Sequence, residues 1–221
     1  MVKERLGRDI IAMRVAKELP EGAVVNLGIG MPTLVSNYVT EDKTMGYHSE
    51  SGALNYGPLA EESERDYDLI NAGGQFLQWV PGMAFFGSEE AFAMIRGGHV
   101  DVTVLGALQV SERGDLANWM VPQRGVGNIG GAMDLAVGAK RVIIAMEHTD
   151  REDRPKLVKE CSFPLTGQRC VSLVVTDLAV IEVTPEGLVL KEIAPDWTPG
   201  EVQALTEPRL ILAPDLKEVE L

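Results

Sequence analysis

Apolar residues along this chain follow two different spacings, and each spacing predicts a different kind of element. Between Leu6 and Ala16 they recur at helical intervals among charged residues, and Pro20 and Gly22 end that pattern. Residues 23–27 form a short, mostly apolar run, which is typical of a strand buried on both faces. Comparable runs predict strands at 102–105, 142–146, 171–175 and 180–183, with helical patterns near 33–39, 89–96 and 133–139.

The alternation of these elements predicts the fold class. Strands interleaved with helices indicate an α/β fold with an open, largely parallel sheet and flanking helices. The last two strands are joined by a short turn, which favours some antiparallel pairing toward the C-terminus. Thr198-Pro199-Gly200-Glu201 has the form of a capping box, so a final helix should begin there. The length favours a single domain over 1–221, in which the charged stretch 149–159 is a solvated excursion.

The charge balance argues against several classes of partner. Lysine and arginine total 20 against 33 aspartates and glutamates, so a net charge of −13 opposes binding to nucleic acids and anionic membranes. The first residues lack the apolar stretch of a signal peptide, and no apolar run approaches the ~20 residues that span a bilayer. We therefore expect a cytoplasmic protein. Cys161 and Cys170 match no zinc or redox spacing, and we expect reduced thiols and no metal site.

Glycines are concentrated in loops that mostly follow predicted strands or helices. In an open α/β sheet the ligand crevice lies at the carboxyl ends of the strands, where glycine lets the backbone approach a bound molecule closely. Each pair could equally be only a tight turn. The loops carry Gly28 and Gly30, Gly52 and Gly57, Gly73 and Gly74, Gly97 and Gly98, and the run from Gly125 to Gly131.

Glu50 is the candidate nucleophile, in a loop of small and turn-forming residues from His48 to Pro58. Glutamate carboxylates have a reference pKa of about 4.3, so an ionised one can attack a thioester carbonyl without a general base. The sequence offers no convincing Ser-His-Asp or Cys-His arrangement. By itself, a glutamate in such a loop is more often an exposed surface charge, and His48 is more often a packing or hydrogen-bonding residue than a participant.

Several sequence blocks resemble the B subunit of 3-oxoacid CoA-transferases, the acetoacetate and succinyl-CoA:3-ketoacid group of the family I CoA-transferases. The blocks keep the order of that family over nearly the whole chain, which makes chance agreement very improbable. They are Val25 to Thr33, Ser49-Glu50, Asn71 to Gly74, Arg96 to Asp101, Leu116 to Trp119, and Gly130 to Leu135 with Met146-Glu147-His148.

The resemblance implies the site residues. The nucleophile of the family lies in a Ser-Glu-Asn-Gly motif, which corresponds to Glu50, with Ser51 where asparagine is usual. Because asparagine adopts positive φ more readily than serine, we expect a differently shaped loop and an altered acyl preference. The resemblance also implies that the amides of Gly131 and Ala132 face the reacting carbonyl and that Asn26 lies near the thioester.

The same resemblance implies the reaction and the assembly. CoA passes between a 3-oxo acid such as acetoacetate and a carboxylate such as succinate or acetate. Coenzyme A is therefore both a substrate and part of the covalent intermediate, and no cofactor is permanently bound. Transfer is ping-pong through a glutamyl-CoA thioester on Glu50, in ketone body or fatty acid metabolism. The partner is a companion A subunit in a heterotetramer of two A and two B chains. Mammalian relatives carry a CoA-contacting lysine where this chain has Gly74, so other groups must meet the CoA phosphates.

Three alternatives remain open at this level. Gly28-Ile29-Gly30 follows a strand and Glu50 lies about twenty residues on, as in a nicotinamide-dependent oxidoreductase, but Pro32 and Thr33 break that fingerprint. An acyl-CoA hydrolase would use the same loops and admit water to the intermediate. A non-catalytic scaffold chain would form no glutamyl thioester.

Overall fold

The computed structural model describes residues 3–40, 43–71, 73–125 and 127–220. Within these ranges ten strands form one sheet in the order β13-β12-β11-β10-β8-β5-β1-β2-β3-β4, and three more form a small sheet in the order β7-β6-β9. The strands are Val24–Leu27 (β1), Gly46–Ser49 (β2), Ala53–Leu54 (β3), Ala84–Phe85 (β4), Val102–Leu105 (β5), Gln109–Ser111 (β6), Leu116–Ala117 (β7), Arg141–Ala145 (β8), Leu157–Val158 (β9), Val171–Val175 (β10), Ala179–Thr184 (β11), Gly187–Ile193 (β12) and Leu210–Glu218 (β13).

The predicted largely parallel sheet is confirmed at its centre. Strands β10, β8, β5, β1 and β2 pair in parallel, whereas β10 with β11, β11 with β12, β2 with β3 and β3 with β4 pair antiparallel. The antiparallel pairing of the two strands from 171–175 and 180–183 is as the sequence predicts. The α-helices are Arg8–Ala16 (α1), Ser88–Arg96 (α2), Ala132–Gly138 (α3) and Pro199–Ala204 (α4).

The last helix begins where its capping box predicts. The Thr198 hydroxyl accepts a hydrogen bond from the Glu201 amide at 3.4 Å, and the Glu201 carboxylate accepts one from the Thr198 amide at 2.8 Å. Two free donors of the first turn are thereby satisfied within four residues of chain.

Several elements differ from the sequence-based expectation, and strands β3, β4, β6, β7, β12 and β13 were not predicted. The predicted helix near 33–39 is a 3-10 helix, Met31–Tyr38. Strand β2 has no apolar run at all, and its pairing with β1 and β3 makes it a strand. The charged stretch is exposed at 151–154 but includes the buried strand β9, because Leu157 packs into the core.

The sheet is covered on both faces, which explains the apolar strands. Val25 and Leu27 pack against α1 and the 3-10 helix on one face, while α2 and α3 contribute Ile95 and Leu135 to the cluster on the other. Side chains alternate along a strand, so Asn26, between Val25 and Leu27, faces the α2 and α3 side. Among the described residues, no helix has the length and apolar character needed to cross a membrane.

Candidate active site

Glu50 lies in the turn that follows β2, at the carboxyl end of the parallel strands. The register pairs Asn26 of β1 with His48 of β2, so the two strands end side by side. The Asn26 amide nitrogen, Nδ2, donates a hydrogen bond to Glu50 Oε2 at 3.1 Å. Asn26 is fully buried and Glu50 is half-buried. A fixed neutral donor therefore holds one carboxylate oxygen, while the carboxylate as a whole remains within reach of solvent.

The turn after Glu50 requires glycine at position 52. Gly52 has φ of +104°, and a Cβ there would collide with the carbonyl oxygen of Phe86. The Phe86 amide also donates to the Gly52 carbonyl at 3.0 Å, which fixes the turn against the segment after β4. Ser51 is not among the described residues with positive φ. In this turn the positive φ is taken by Gly52, and the effect of serine at position 51 on the acyl preference stays a prediction.

Gly131 lies directly against the Glu50 carboxylate. A Cβ added to Gly131 would be 2.8 Å from Glu50 Oε1 and 3.0 Å from its Cγ, so glycine is needed for this approach. Among the described residues, no hydrogen bond from the Gly131 N–H is found, whereas the Ala132 N–H makes a long one, 3.4 Å, to the Ile129 carbonyl. Of the two amides expected at the site, Gly131 has the free donor and Ala132 is partly engaged within its own turn.

The orientation of the Asn26 amide follows from its neighbours. Besides Glu50 Oε2, Nδ2 lies 3.1 Å from the His48 carbonyl oxygen and 3.2 Å from His48 Nδ1. The carbonyl and the carboxylate can only accept hydrogen bonds, so the nitrogen rather than the oxygen of the amide must face them. The amide oxygen, Oδ1, is consequently turned away, and it is buried without a partner among the described residues.

His48 supports this arrangement as a neutral ring. It is 1% exposed and stacks on Phe86 with ring centroids 6.3 Å apart. Burial lowers the pKa of the imidazole, and the nearby Glu50 carboxylate partly opposes that effect by raising it. With Nδ1 accepting from Asn26, the proton is on Nε2.

A cavity of about 680 Å³ lies beside Tyr47, whose side chain alternates to the other face of β2 from His48. Its wall includes Tyr56, which stacks on Tyr47 with centroids 5.5 Å apart, and the polar residues Asn71 and Gln75. Burial raises the pKa of Tyr47 to about 12, and that of Tyr56 is raised by burial and then by the Tyr47 and Glu50 charges. Both phenols stay neutral, and the volume suits a small ligand or part of a larger one.

Not every glycine loop joins the site. Gly97 and Gly98 end α2 and precede β5, so they lie at the amino end of the parallel strands, away from Glu50. Gly74 has φ of +73° and open space around it, and its amide donates a hydrogen bond to the Asn71 carbonyl.

Thr103 is a residue that the motif-based reasoning missed. Its signal is a lone hydroxyl in the otherwise apolar run of β5.

Comparison with known proteins places this geometry among enzymes that handle CoA. A family model described as coenzyme A transferase matches residues 8–204. The chain is 51% identical to the B subunit of the 3-oxoadipate CoA-transferase of Pseudomonas putida, over 95% of this chain and 99% of that protein. It is 47% identical to the mitochondrial succinyl-CoA:3-ketoacid coenzyme A transferase 2B of Mus musculus, over 96% of this chain but 41% of the mouse protein.

Solved structures share the fold at low identity. An acyl-CoA transferase from Escherichia coli matches with a TM-score of 0.76 at 19% identity, covering all of this chain and 44% of the other. The glutaconate coenzyme A-transferase of Acidaminococcus fermentans matches with a TM-score of 0.71 at 17% identity, over 99% of this chain and 91% of the other. The α/β architecture predicted from the sequence is therefore confirmed by independent structures as well.

Proposed function

The chain belongs to the coenzyme A transferase family, as its resemblance to the B subunit of 3-oxoacid CoA-transferases predicted, and on that premise we propose that Glu50 is its covalent nucleophile. The observation that supports this best is the placement of one carboxylate between a buried donor, Asn26, and a glycine that leaves room for a reacting group, Gly131. Neither alternative enzyme class is favoured. Gly30 leads into a 3-10 helix with Pro32 in its first turn, not into the α-helix of a dinucleotide fold.

The transfer proceeds in four balanced acyl-transfer steps. Glu50 attacks the acyl-CoA carbonyl, which expels CoA thiolate and leaves a mixed anhydride. The thiolate attacks the glutamyl carbon of the anhydride, and the first acid departs with the bridging oxygen. The second carboxylate attacks the resulting glutamyl-CoA thioester, again releasing thiolate and forming an anhydride. The thiolate then attacks the acyl carbon of that anhydride, releasing the new acyl-CoA and the free Glu50 carboxylate, which retains one oxygen of the second acid.

Each attack develops negative charge on an oxygen, and the site has donors placed to receive it. Asn26 Nδ2 already bonds Glu50 Oε2, so it would donate to the same oxygen when the glutamyl carbon becomes tetrahedral. The amide of Gly131, with that of Ala132, would serve an oxyanion on the facing side. One such donor contributes about 2.7–4 kcal/mol to barrier lowering, because it is fixed before the charge develops.

The substrate pair is a 3-oxo acid and a second small carboxylate. Two relatives carry this class in their names, one as 3-oxoadipate and the other as a 3-ketoacid with succinyl-CoA. Acetoacetate with succinate or acetate, and 3-oxoadipate with succinate, are the pairs to compare. A panel of acyl-CoA donors and carboxylate acceptors, ranked by kcat/KM, identifies the preferred pair.

The partner is a companion A subunit that covers the crevice. Large apolar side chains are exposed in the segments that follow β1, connect β2 to α2 and precede α3, whereas soluble monomers rarely expose large apolar patches. Trp79 is 62% exposed and is the kind of residue that anchors interfaces. The others are Ile29, Leu59, Tyr67, Ile70, Phe85 and Ile129. We infer two copies of each chain, and closure of the crevice would keep water from the anhydride and the thioester.

A trapping experiment tests the nucleophile. The chain, with its companion, is incubated with acyl-CoA and treated with borohydride, which reduces a glutamyl thioester, and the mass of the peptide containing residue 50 is measured. We expect the reduced residue at position 50 in the wild type and none in Glu50→Gln, which should lose transfer yet melt at the wild-type temperature. Full transfer by a folded Glu50→Gln enzyme would eliminate the mechanism. Release of free CoA without acyl transfer would instead identify a hydrolase.

A further inference from the structure

Three polar side chains form a row on one face of the sheet next to Glu50. The register pairs Asn26 on β1 with His48 on β2 and with Thr103 on β5, so the three lie side by side. All are at most 1% exposed. Each has one buried polar atom without a hydrogen-bond partner among the described residues, namely Asn26 Oδ1, His48 Nε2 and Thr103 Oγ1.

Core packing alone does not account for the threonine in this row. A buried polar atom without a partner destabilises the fold, and valine, with almost the same shape, would avoid that cost. On the side away from Asn26, the neighbour of Thr103 is the apolar Val142 on β8, which offers no hydrogen-bonding side chain. A hydroxyl in this setting indicates a role that valine cannot fill.

The orientation of Asn26 suggests that role. Its Nδ2 faces Glu50 Oε2 and the carbonyl and ring nitrogen of His48, all between 3.1 and 3.2 Å away. Its Oδ1 must therefore point away from these acceptors. The neighbour of Asn26 on the strand opposite β2 is Thr103, and adjacent strands are only about 4.8 Å apart.

We propose that Thr103 is a positioning residue whose hydroxyl donates to Asn26 Oδ1 and so keeps Asn26 Nδ2 directed at Glu50. A threonine hydroxyl reaches such a neighbour by rotation about its Cα–Cβ bond, and its hydrogen turns freely to the acceptor. The inference rests on the proposed function of Glu50, because positioning Asn26 matters only if the Glu50 carboxylate reacts.

Loss of this hydrogen bond would act on turnover and not on substrate binding. Glu50 and the His48 carbonyl orient the Asn26 amide in the resting site, and a hydrogen bond to Oδ1 would hold it from the other side. Without that bond the amide is held less firmly while the glutamyl carbon becomes tetrahedral, and the transition state would lose part of the stabilisation from its donor. Substrate binding should be unaffected, since Thr103 is fully buried and has no surface for a substrate to contact.

Three variants in the assembled enzyme test the proposal. Thr103→Val removes the hydroxyl at constant shape and should lower kcat about 10-fold or more, a part of the 10²–10³ that a complete oxyanion donor supplies. KM should stay within about two-fold, and the melting temperature should fall by no more than a few degrees, because the variant leaves Asn26 Oδ1 without its proposed partner. Thr103→Ser keeps the hydroxyl and should recover most of kcat. Thr184→Val is the matched control, because its hydroxyl bonds the Gly187 carbonyl at 2.9 Å on β11, five strands from β2.

A double-mutant cycle separates positioning from a direct effect. In an Asn26→Ala background, Thr103→Val should have no further effect on kcat, because its target is gone. Wild-type kcat in Thr103→Val, a Thr103→Ser enzyme no better than Thr103→Val, or independent losses in the double variant would each overturn the proposal. Glu50→Gln is assayed in parallel. If it stays active, the proposed nucleophile itself fails; if it is inactive while Thr103→Val is fully active, only the positioning role fails.

Discussion

Replacement of Gly131 by alanine adds a single carbon to the position that faces Glu50. Gly131 has φ of −88° and ψ of 1°, which alanine also adopts, so the backbone needs no rearrangement. At such compatible positions glycine-to-alanine changes stabilise a protein by about 0.4–1 kcal/mol through the unfolded chain. Gly131→Ala should therefore still fold. The stability that it gains through the unfolded chain is reduced by the close contact of the new Cβ with Glu50.

The size of the effect follows from the distances at Glu50. The added Cβ would be 2.8 Å from Oε1 and 3.0 Å from Cγ, whereas carbon atoms in contact prefer about 3.5–4.0 Å. The carboxylate must move by about 0.5 Å or more, which disturbs its 3.1 Å hydrogen bond from Asn26. Since a misplacement of about 1 Å can reduce turnover 10²-fold, we expect kcat to fall about 10- to 100-fold.

Steady-state transfer assays and thermal melting of the same preparations separate an effect of Gly131→Ala on turnover from an effect on stability. Gly200→Ala is the control, because Gly200 is exposed in α4 with no atom near the added carbon. It should keep full turnover. We expect Gly131→Ala to melt near the wild-type temperature and to lose turnover, with Gly131→Val lower still. Wild-type kcat in Gly131→Ala would refute the argument that the approach of Gly131 to Glu50 is needed for catalysis.

Three further predictions concern stability and assembly. Glu192→Gln should lower the free energy of unfolding by about 1.5–3 kcal/mol in urea titrations, because buried Arg14 bonds both Glu192 oxygens, at 2.8 and 2.9 Å, and would keep only Glu18 as a charged partner; a loss below about 0.5 kcal/mol would contradict this. Burial, and then the Arg5 and Lys156 charges, lower the pKa of His148 to about 3. An unfolded histidine takes up a proton below a pH of about 6.5, so the contribution of His148 to the free energy of unfolding should be constant above that pH and fall by up to about 1.4 kcal/mol per pH unit between there and a pH of about 3. Urea titrations over this range should show a shallower dependence on pH in His148→Asn than in the wild type, and equal slopes would contradict the prediction. Trp79→Ala should weaken association with the companion chain at least about ten-fold in light-scattering titrations, whereas Leu212→Ala, equally apolar and 53% exposed on β13, should not.

The central strands could be predicted because each is buried on both faces. A strand such as β5 has to be apolar throughout, and a run of that kind is visible in the sequence without knowledge of its neighbours. The same holds for the capping box before α4, which is formed within four residues. Glu50 was proposed as the nucleophile through a motif, since a single carboxylate in a loop has no local property that distinguishes a nucleophile from a surface charge.

Strand β2 could not be recognised in this way. Its residues, Gly46 to Ser49, include no apolar run, and pairing with β1 and β3 gives them strand geometry. A helix was predicted near residues 33–39, but the sequence did not indicate that it would be the tighter 3-10 helix, Met31–Tyr38. In both cases the deciding contacts come from segments that are distant along the chain.

The sequence by itself determined that the apolar central strands and α1 are buried, because periodicity reports how one element meets the core. Only the tertiary structure decided which elements and side chains contact one another. The parallel register places Asn26 between His48 and Thr103, and the turn before α3 brings Gly131 against Glu50. Thr103 illustrates the difference, since its hydroxyl looks like an exception within an apolar strand until β1 is placed beside it. Hydrogen bonds between side chains depend on relative positions within a few tenths of an ångström, and those positions are set by the packing of the whole sheet.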